Sequence, residues 1–244
     1  MRVIKPGEAA DMPGDQRFHI SFDVVVFDLD GTLIDSAPDI AGALNRTLAE
    51  FDRRAVTLDE VRAMVGDGAK GLIRDAFAAT GEAADDALAA QALQRYLDNY
   101  FEADASPDSL YPGVRETLEG LAAAGVRLGL CTNKSERISR KVIEQVGLAH
   151  LFGALAGGDS LAVKKPDPGH LRHVAEALGG GRVAMVGDNG NDVKAARGCG
   201  FPVVALSYGY PRMPVAELGA DVVIDRFSDL PEALARLAAP GAGQ

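Results

Sequence analysis

The string Asp28-Leu29-Asp30-Gly31-Thr32-Leu33 follows directly on the apolar run Val24-Val25-Val26-Phe27. A run this short and β-branched reads as a strand buried on both faces, the kind found in parallel sheets. Its C-terminal end delivers two carboxylates one residue apart, then a glycine able to turn sharply. In open α/β sheets that edge is where ligands bind. Two dry, ionised carboxylates repel each other. The pair therefore calls for a positive partner, and a hard divalent cation with oxygen ligands is the economical one.

The later half of the chain repeats the strand pattern. Val126–Cys131, Val183–Val186, Val203–Leu206 and Val222–Ile224 read as strands with Asp23–Phe27, and Ala154–Ala156 is a weaker sixth. Helical patterns lie between them: Val114–Ala123; Glu136–Gln145 behind Ser135 as N-cap; and Pro168–Leu178 with proline at its start. Alternating strand and helix predicts an α/β fold, a doubly wound and mostly parallel sheet.

The stretch from residue 28 to residue 125 breaks this rhythm, being far longer than an ordinary crossover. It reads as helical: Pro38–Phe51, Leu58–Val65 behind a Thr57-x-x-Glu60 capping box, Ala69–Thr80, and roughly Ala84–Glu102. The expected organisation is a loose extension at 1–20, a core built from 21–35 and 110–244, and an inserted helical cap at 36–109 with hinges near Pro38 and Ser106-Pro107. A helical insert that returns over the carboxylate edge of a sheet acts as a lid.

Composition narrows the function. The 244 residues carry a net charge of −10, with 47% apolar and 25% charged residues. This balance suits a soluble globular protein and opposes general binding to nucleic acid or to anionic membranes. No stretch is long and apolar enough to suggest a membrane span. Residues 1–20 contain no apolar block of the signal-peptide kind. Two cysteines make neither a disulfide framework nor a zinc site, so a reducing cytoplasm is the expected compartment. The four histidines match no metal spacing. His170 and His173, three apart on a helix, read as surface residues.

Three further motifs fall at strand ends or between them: Thr132-Asn133-Lys134, Lys164-Lys165-Pro166-Asp167-Pro168, and Gly187-Asp188-Asn189-Gly190-Asn191-Asp192. Right-handed crossovers bring all of them to the edge that holds Asp28 and Asp30. With these motifs in this order, residues 22–226 resemble the haloacid dehalogenase superfamily of aspartate-nucleophile phosphatases. Val65-Gly66-Asp67-Gly68-Ala69, Leu110-Tyr111-Pro112-Gly113-Val114 and Thr132-Asn133-Lys134 make the chain look most like its phosphoglycolate phosphatase branch.

The resemblance implies a role for each residue. Asp28 attacks phosphorus, and Asp30 serves as acid and then base. Thr132 and Asn133 contact the substrate. Lys165, which directly precedes proline as the family lysine does, offsets charge and orients Asp28. Asp28, Asp188 and the backbone carbonyl of Asp30 hold Mg²⁺, and Asp192 supports the metal or Lys165. Asn189 departs from the Ser or Thr common at its position. In the cap, Asp67, Lys70 and Arg46 are within the range of candidates, and Lys70 is chosen to meet a substrate carboxylate. The implied activity is hydrolysis of a small phosphorylated metabolite, 2-phosphoglycolate above others, by a monomer or homodimer. The alternatives are another small-metabolite or sugar phosphatase, a sugar phosphomutase of the same superfamily, or a binding module without catalysis.

Overall fold

Alternate residues of each central strand enter opposite cores, and this builds the molecule. In β1 (Val24–Phe27), Val25 and Phe27 join one apolar cluster while Val24 and Val26 join another. β4 (Val183–Gly187) and β5 (Val203–Leu206) divide the same way, with Ala184, Val186, Val204 and Leu206 on the first side and Val183, Met185, Val203 and Ala205 on the second. Strands apolar on both faces need cover on both, and a computed structural model, which describes residues 20–103 and 107–238, shows that cover.

With β2 (Arg127–Cys131), β3 (Phe152–Ala156) and β6 (Val222–Ile224), they form one sheet in the order β3-β2-β1-β4-β5-β6. Every pairing in it is parallel. The four inserted helices are α1 (Ala37–Glu50), α2 (Leu58–Met64), α3 (Gly68–Thr80) and α4 (Asp86–Glu102). On the core, α5 (Val114–Ala123), α6 (Glu136–Gln145) and α9 (Leu230–Ala238) cover the first face, and α7 (Pro168–Ala177) and α8 (Gly190–Cys199) cover the second. The α/β, doubly wound parallel sheet read from the sequence is the observed fold. Strand order reverses between β1 and β4, and the carboxyl ends of strands at such a point open a crevice.

The helical insert leaves and rejoins the core at one place. Asp35 donates its backbone N–H to the carbonyl of Ser109 at 2.8 Å, and Tyr111 donates to Leu33 at 3.0 Å. Of the two expected hinges, Pro38 lies in the first turn of α1, and Ser106 lies outside the described residues. So do residues 1–19, which make up most of the expected loose extension. The first apolar cluster runs without a break from Phe27, Leu29 and Leu33 into Leu44, Ile73 and Phe77 of the insert. The capping box is present: Thr57 Oγ1 accepts from the Glu60 N–H at 3.2 Å, and Glu60 accepts from the Thr57 N–H at 2.8 Å. Ser135 is the N-cap residue of α6, as read from the sequence. It occupies the N-cap position without a side-chain bond, and the free Glu136 N–H is taken instead by Asp159 at 2.7 Å. Among the described residues no helix is long and apolar enough to cross a membrane.

Candidate active site

Asp28 sits at the end of β1 and Asp188 just past the end of β4, the adjacent strands that flank the crevice. Asp28 is buried, and its Oδ1 accepts from the Leu29 N–H at 2.7 Å and from Lys165 Nζ at 2.9 Å. Lys165, on the loop between β3 and α7, places the same ammonium 2.6 Å from Asp192 Oδ1. Asp192 spends its other oxygen on α8 itself, accepting from the backbone N–H groups of Asp188 and Asn189 at 3.2 Å each. That is half of a reciprocal cap in which the Asn189 side chain accepts from the Asn191 N–H at 2.9 Å. The departure at Asn189 thus has a local reason, because asparagine is a strong N-cap.

Asp188 is fully buried. Thr32 donates to its Oδ1 at 3.1 Å, and the backbone N–H of Tyr210 donates to its Oδ2 at 2.6 Å. Gly31 makes this approach possible. It adopts a positive φ of 80°, and a Cβ there would collide with Asp188 Oδ2. The tyrosine also ties the site to the start of the insert. Its hydroxyl accepts from the Ala37 N–H at 3.0 Å and donates to Asp35 at 2.5 Å.

Asp28, Asp188 and Asp192 therefore gather one carboxylate oxygen each within 4.8 Å, and Lys165 is bonded to Asp28 and Asp192. The charge is unbalanced, and the ionisation shows it. Burial raises the Asp28 carboxyl to about 6, against the lowering pull of Lys165 and with the help of Asp192. Asp188 is held well above the carboxylate range by burial and by its two acidic neighbours. Burial alone would lower Lys165, but Asp192 and Asp28 carry it above its ordinary value. A hard divalent cation fits this all-oxygen set and would supply the missing positive charge. Asp28 and Asp188 are carboxylates that could hold it. Asp192 differs from Asp188 in already facing a cation: its Oδ1 is bonded to the Lys165 ammonium and its Oδ2 takes two backbone N–H groups, so it props the site through Lys165 and the backbone.

Asp28, Asp30 and Thr132 line one cavity of about 50 Å³ with Asn133 and Lys134 and with Val65, Gly66, Ala69, Leu72, Tyr96 and Leu97 of the insert. Thr132 Oγ1 accepts from the Lys134 N–H at 3.2 Å, so its own hydrogen remains to donate. Asn133 spends its amide on two backbone carbonyls, Gly66 and Lys165, each at 2.9 Å. The two lysines before Pro166 separate cleanly, since Lys164 reaches away from the acids to the carbonyl of Asp67 at 2.5 Å. Lys70 is exposed and lies outside the cavity lining. Arg46 bonds the Asn99 carbonyl of α4 at 2.6 Å, inside the insert.

The sequence reading left several groups without a role. Lys134 is one, standing in the sequence only as the third residue of Thr132-Asn133-Lys134. Asn191 and Arg212 are others: both hold Asp67, at 3.0 and 2.7 Å, and Arg212 also bonds the Met64 carbonyl at 2.7 Å. The surface reading of His170 is overturned. The ring is fully buried, its Nδ1 accepting from the Lys165 N–H at 3.2 Å and its Nε2 lying 3.0 Å from the Gly157 carbonyl. Helical spacing alone did not reveal that the residue after the lysine loop turns inward.

Residues 22–200 match the family model for haloacid dehalogenase-like hydrolases. The phosphoglycolate phosphatase of Rhodospirillum rubrum is 46% identical over 212 residues, 84% of this chain and 88% of its own. That of Caulobacter vibrioides is 43% identical over 211 residues, 86% of this chain and 89% of its own. A crystal structure of a predicted phosphoglycolate phosphatase from Haemophilus somnus superposes with a TM-score of 0.82 at 32% identity, covering 87% of this chain and 97% of that one. Matched by the family model over residues 22–200 and by relatives over most of its length, the chain belongs to the haloacid dehalogenase-like hydrolase family.

Proposed function

We propose that this phosphatase uses Mg²⁺ and hydrolyses 2-phosphoglycolate to glycolate and phosphate through an aspartyl phosphate on Asp28. The observation that carries the reading is the setting of Asp28. It is a buried carboxylate that lines a small cavity, has one oxygen pinned by Lys165 and a backbone N–H, and lies against a second buried carboxylate. Pinning Oδ1 assigns Oδ2 to attack. The new Oδ2–phosphorus bond forms as the ester bond breaks, and Asp30, in the same cavity, gives its proton to the departing oxygen. Asp30 then takes a proton from the water that cleaves the acyl phosphate, so one carboxyl serves both steps. Thr132 donates to the phosphoryl oxygens. Lys165 keeps Asp28 ionised and oriented. Asp28, Asp188 and the backbone carbonyl of Asp30 would hold Mg²⁺, which when bound would offset the negative charge of the phosphoryl group. The helices of residues 36–109 act as a cap that closes the cavity and excludes water.

The relatives named phosphoglycolate phosphatase support the substrate, as does a cavity suited to a small ester. The test is phosphate release from 2-phosphoglycolate by the wild type and by Asp28→Asn, each with Mg²⁺. The variant keeps the shape and loses the attacking charge, so turnover falls to near background while the thermal transition persists. A folded variant with comparable turnover would remove the covalent mechanism.

A further inference from the structure

Lys134 has no part in the chemistry above, yet it is the only cation among the described residues that line the cavity. It is a poor place to leave a lysine without a task. The side chain is 7% exposed, its Nζ lies 2.9 Å from Asp30 Oδ1, and it stands 4.2 Å from the centroid of the Tyr100 ring. The Asp30 carboxylate and the face of the Tyr100 ring both favour an ammonium there. The wall that the insert contributes is largely apolar, with Val65, Ala69, Leu72 and Leu97. A substrate carboxylate pressed against that wall would be desolvated and unpaired, at a cost of several kcal/mol.

The position of the ammonium fits a specific ligand. A proton donor works at about 2.6–3.2 Å from the oxygen it serves. Lys134 is one hydrogen bond further on from that donor, Asp30. A carboxylate one carbon beyond the ester oxygen falls within reach of both. We propose that Lys134 is the specificity-determining residue of this site, its ammonium binding the carboxylate of the phosphate ester of a short 2-hydroxy acid. This inference rests on the phosphatase reading above and deepens it. The arriving carboxylate competes with Asp30 for the ammonium, so a substrate that bears one also turns Asp30 toward the ester oxygen. A neutral substrate leaves the Lys134–Asp30 pair closed.

The experiment compares 2-phosphoglycolate with its carboxamide, in which a neutral isostere replaces the carboxylate and the phosphate is kept, on the full chain with Mg²⁺. The wild type is expected to prefer the acid by at least tenfold in kcat/KM. Lys134→Met is expected to lower that preference at least tenfold, mainly through KM for the acid, and Lys134→Arg to restore part of it. Equal losses on the two substrates would assign Lys134 to Asp30 or to folding and overturn the inference. If the methionine variant does not fold, the wild-type preference decides alone, and equal use of acid and amide overturns the inference while the phosphatase reading stands. Release of phosphate from other esters but not from phosphoglycolate would overturn the substrate and this inference together. No release from any ester would remove the phosphatase reading itself.

Discussion

Asp192→Asn separates a prop from a ligand. In the folded protein Asp192 Oδ1 bonds Lys165 at 2.6 Å and Oδ2 receives two backbone N–H groups at 3.2 Å, all out of contact with water. An asparagine keeps one acceptor and turns the other into an NH₂ donor. That donor must face either the Lys165 ammonium or the two N–H groups at the start of α8, and both are donors themselves. One charge-assisted bond is lost, worth about 1.5–3 kcal/mol, and buried donors are left unpaired. Lys165 retains Asp28 at 2.9 Å, so the loss stays below the ~3–5 kcal/mol of a fully broken buried pair. A net loss of about 2–3 kcal/mol lowers Tm by roughly 5–10 °C in a chain of this size. The variant also removes one of the acids that raise Asp28 and Asp188. Calorimetric melts in chelator give the stability, and phosphate release with Mg²⁺ gives an activity loss of roughly tenfold to a hundredfold, the usual size for a group that orients ligands. A melt within a degree of wild type would refute the assignment of both oxygens. A loss of activity as complete as that of Asp28→Asn would refute the view that Asp192 acts only through its neighbours.

Two further outcomes follow from groups around the site. Burial and Lys165 lower His170 to about 4, so the ring is neutral when folded, and stability from this group is present above the unfolded pKa of about 6.5 and is lost as pH falls from there toward 4. At most about 3 kcal/mol is at stake; His170→Gln, which offers the same acceptor and donor, is expected to flatten that part of the curve, and parallel curves for the two proteins would dismiss the role. Arg212→Ala frees the segment at Met64–Asp67 from its bonds to Arg212; because that pair is partly exposed it is worth about 1 kcal/mol at most, so kcat/KM is expected to fall about fivefold with Tm lowered by no more than roughly 2–4 °C, and full activity would show that the contact does not govern closure.

The sheet was readable because its strands announce themselves by composition. Val24-Val25-Val26-Phe27 is apolar at every position, which is what burial on both faces demands, and the same holds for Val183–Val186 and Val203–Leu206. The insert was readable from length alone, since no ordinary crossover spans residues 28–125. Asp28, Asp188 and Lys165 converge because parallel strands and right-handed crossovers place their C-terminal ends on one edge, a rule that needs no side-chain detail. What the sequence hid is direction. In Lys164-Lys165 only the resemblance, through the proline that follows Lys165, says which ammonium turns to the acids; in the structure Lys165 reaches Asp28 and Asp192 while Lys164 reaches the insert. His170 and His173 share a spacing but not a fate, since only the packing of α7 beside the Lys165 loop turns His170 inward.

The same limit explains the two candidate carboxylate readers. Lys70 follows a glycine loop at the start of α3, where a helix N-terminus favours anions, and this made it the natural choice from sequence. The helix, however, turns its apolar stripe, Ala69 with Leu72, toward the cavity, and Lys70 falls on the exposed side. The cation inside comes from the core, through Lys134 at the end of β2. A carboxylate reader mounted on the insert would reward closure directly. One mounted on the core, beside Asp30, binds the acid before the insert closes and leaves the insert to supply an apolar cover. In that arrangement the insert sets the size of the substrate and the core sets its charge. Enlarging the cavity by Leu72→Ala is then a change of size selection, and substitution of Lys134 a change of charge selection.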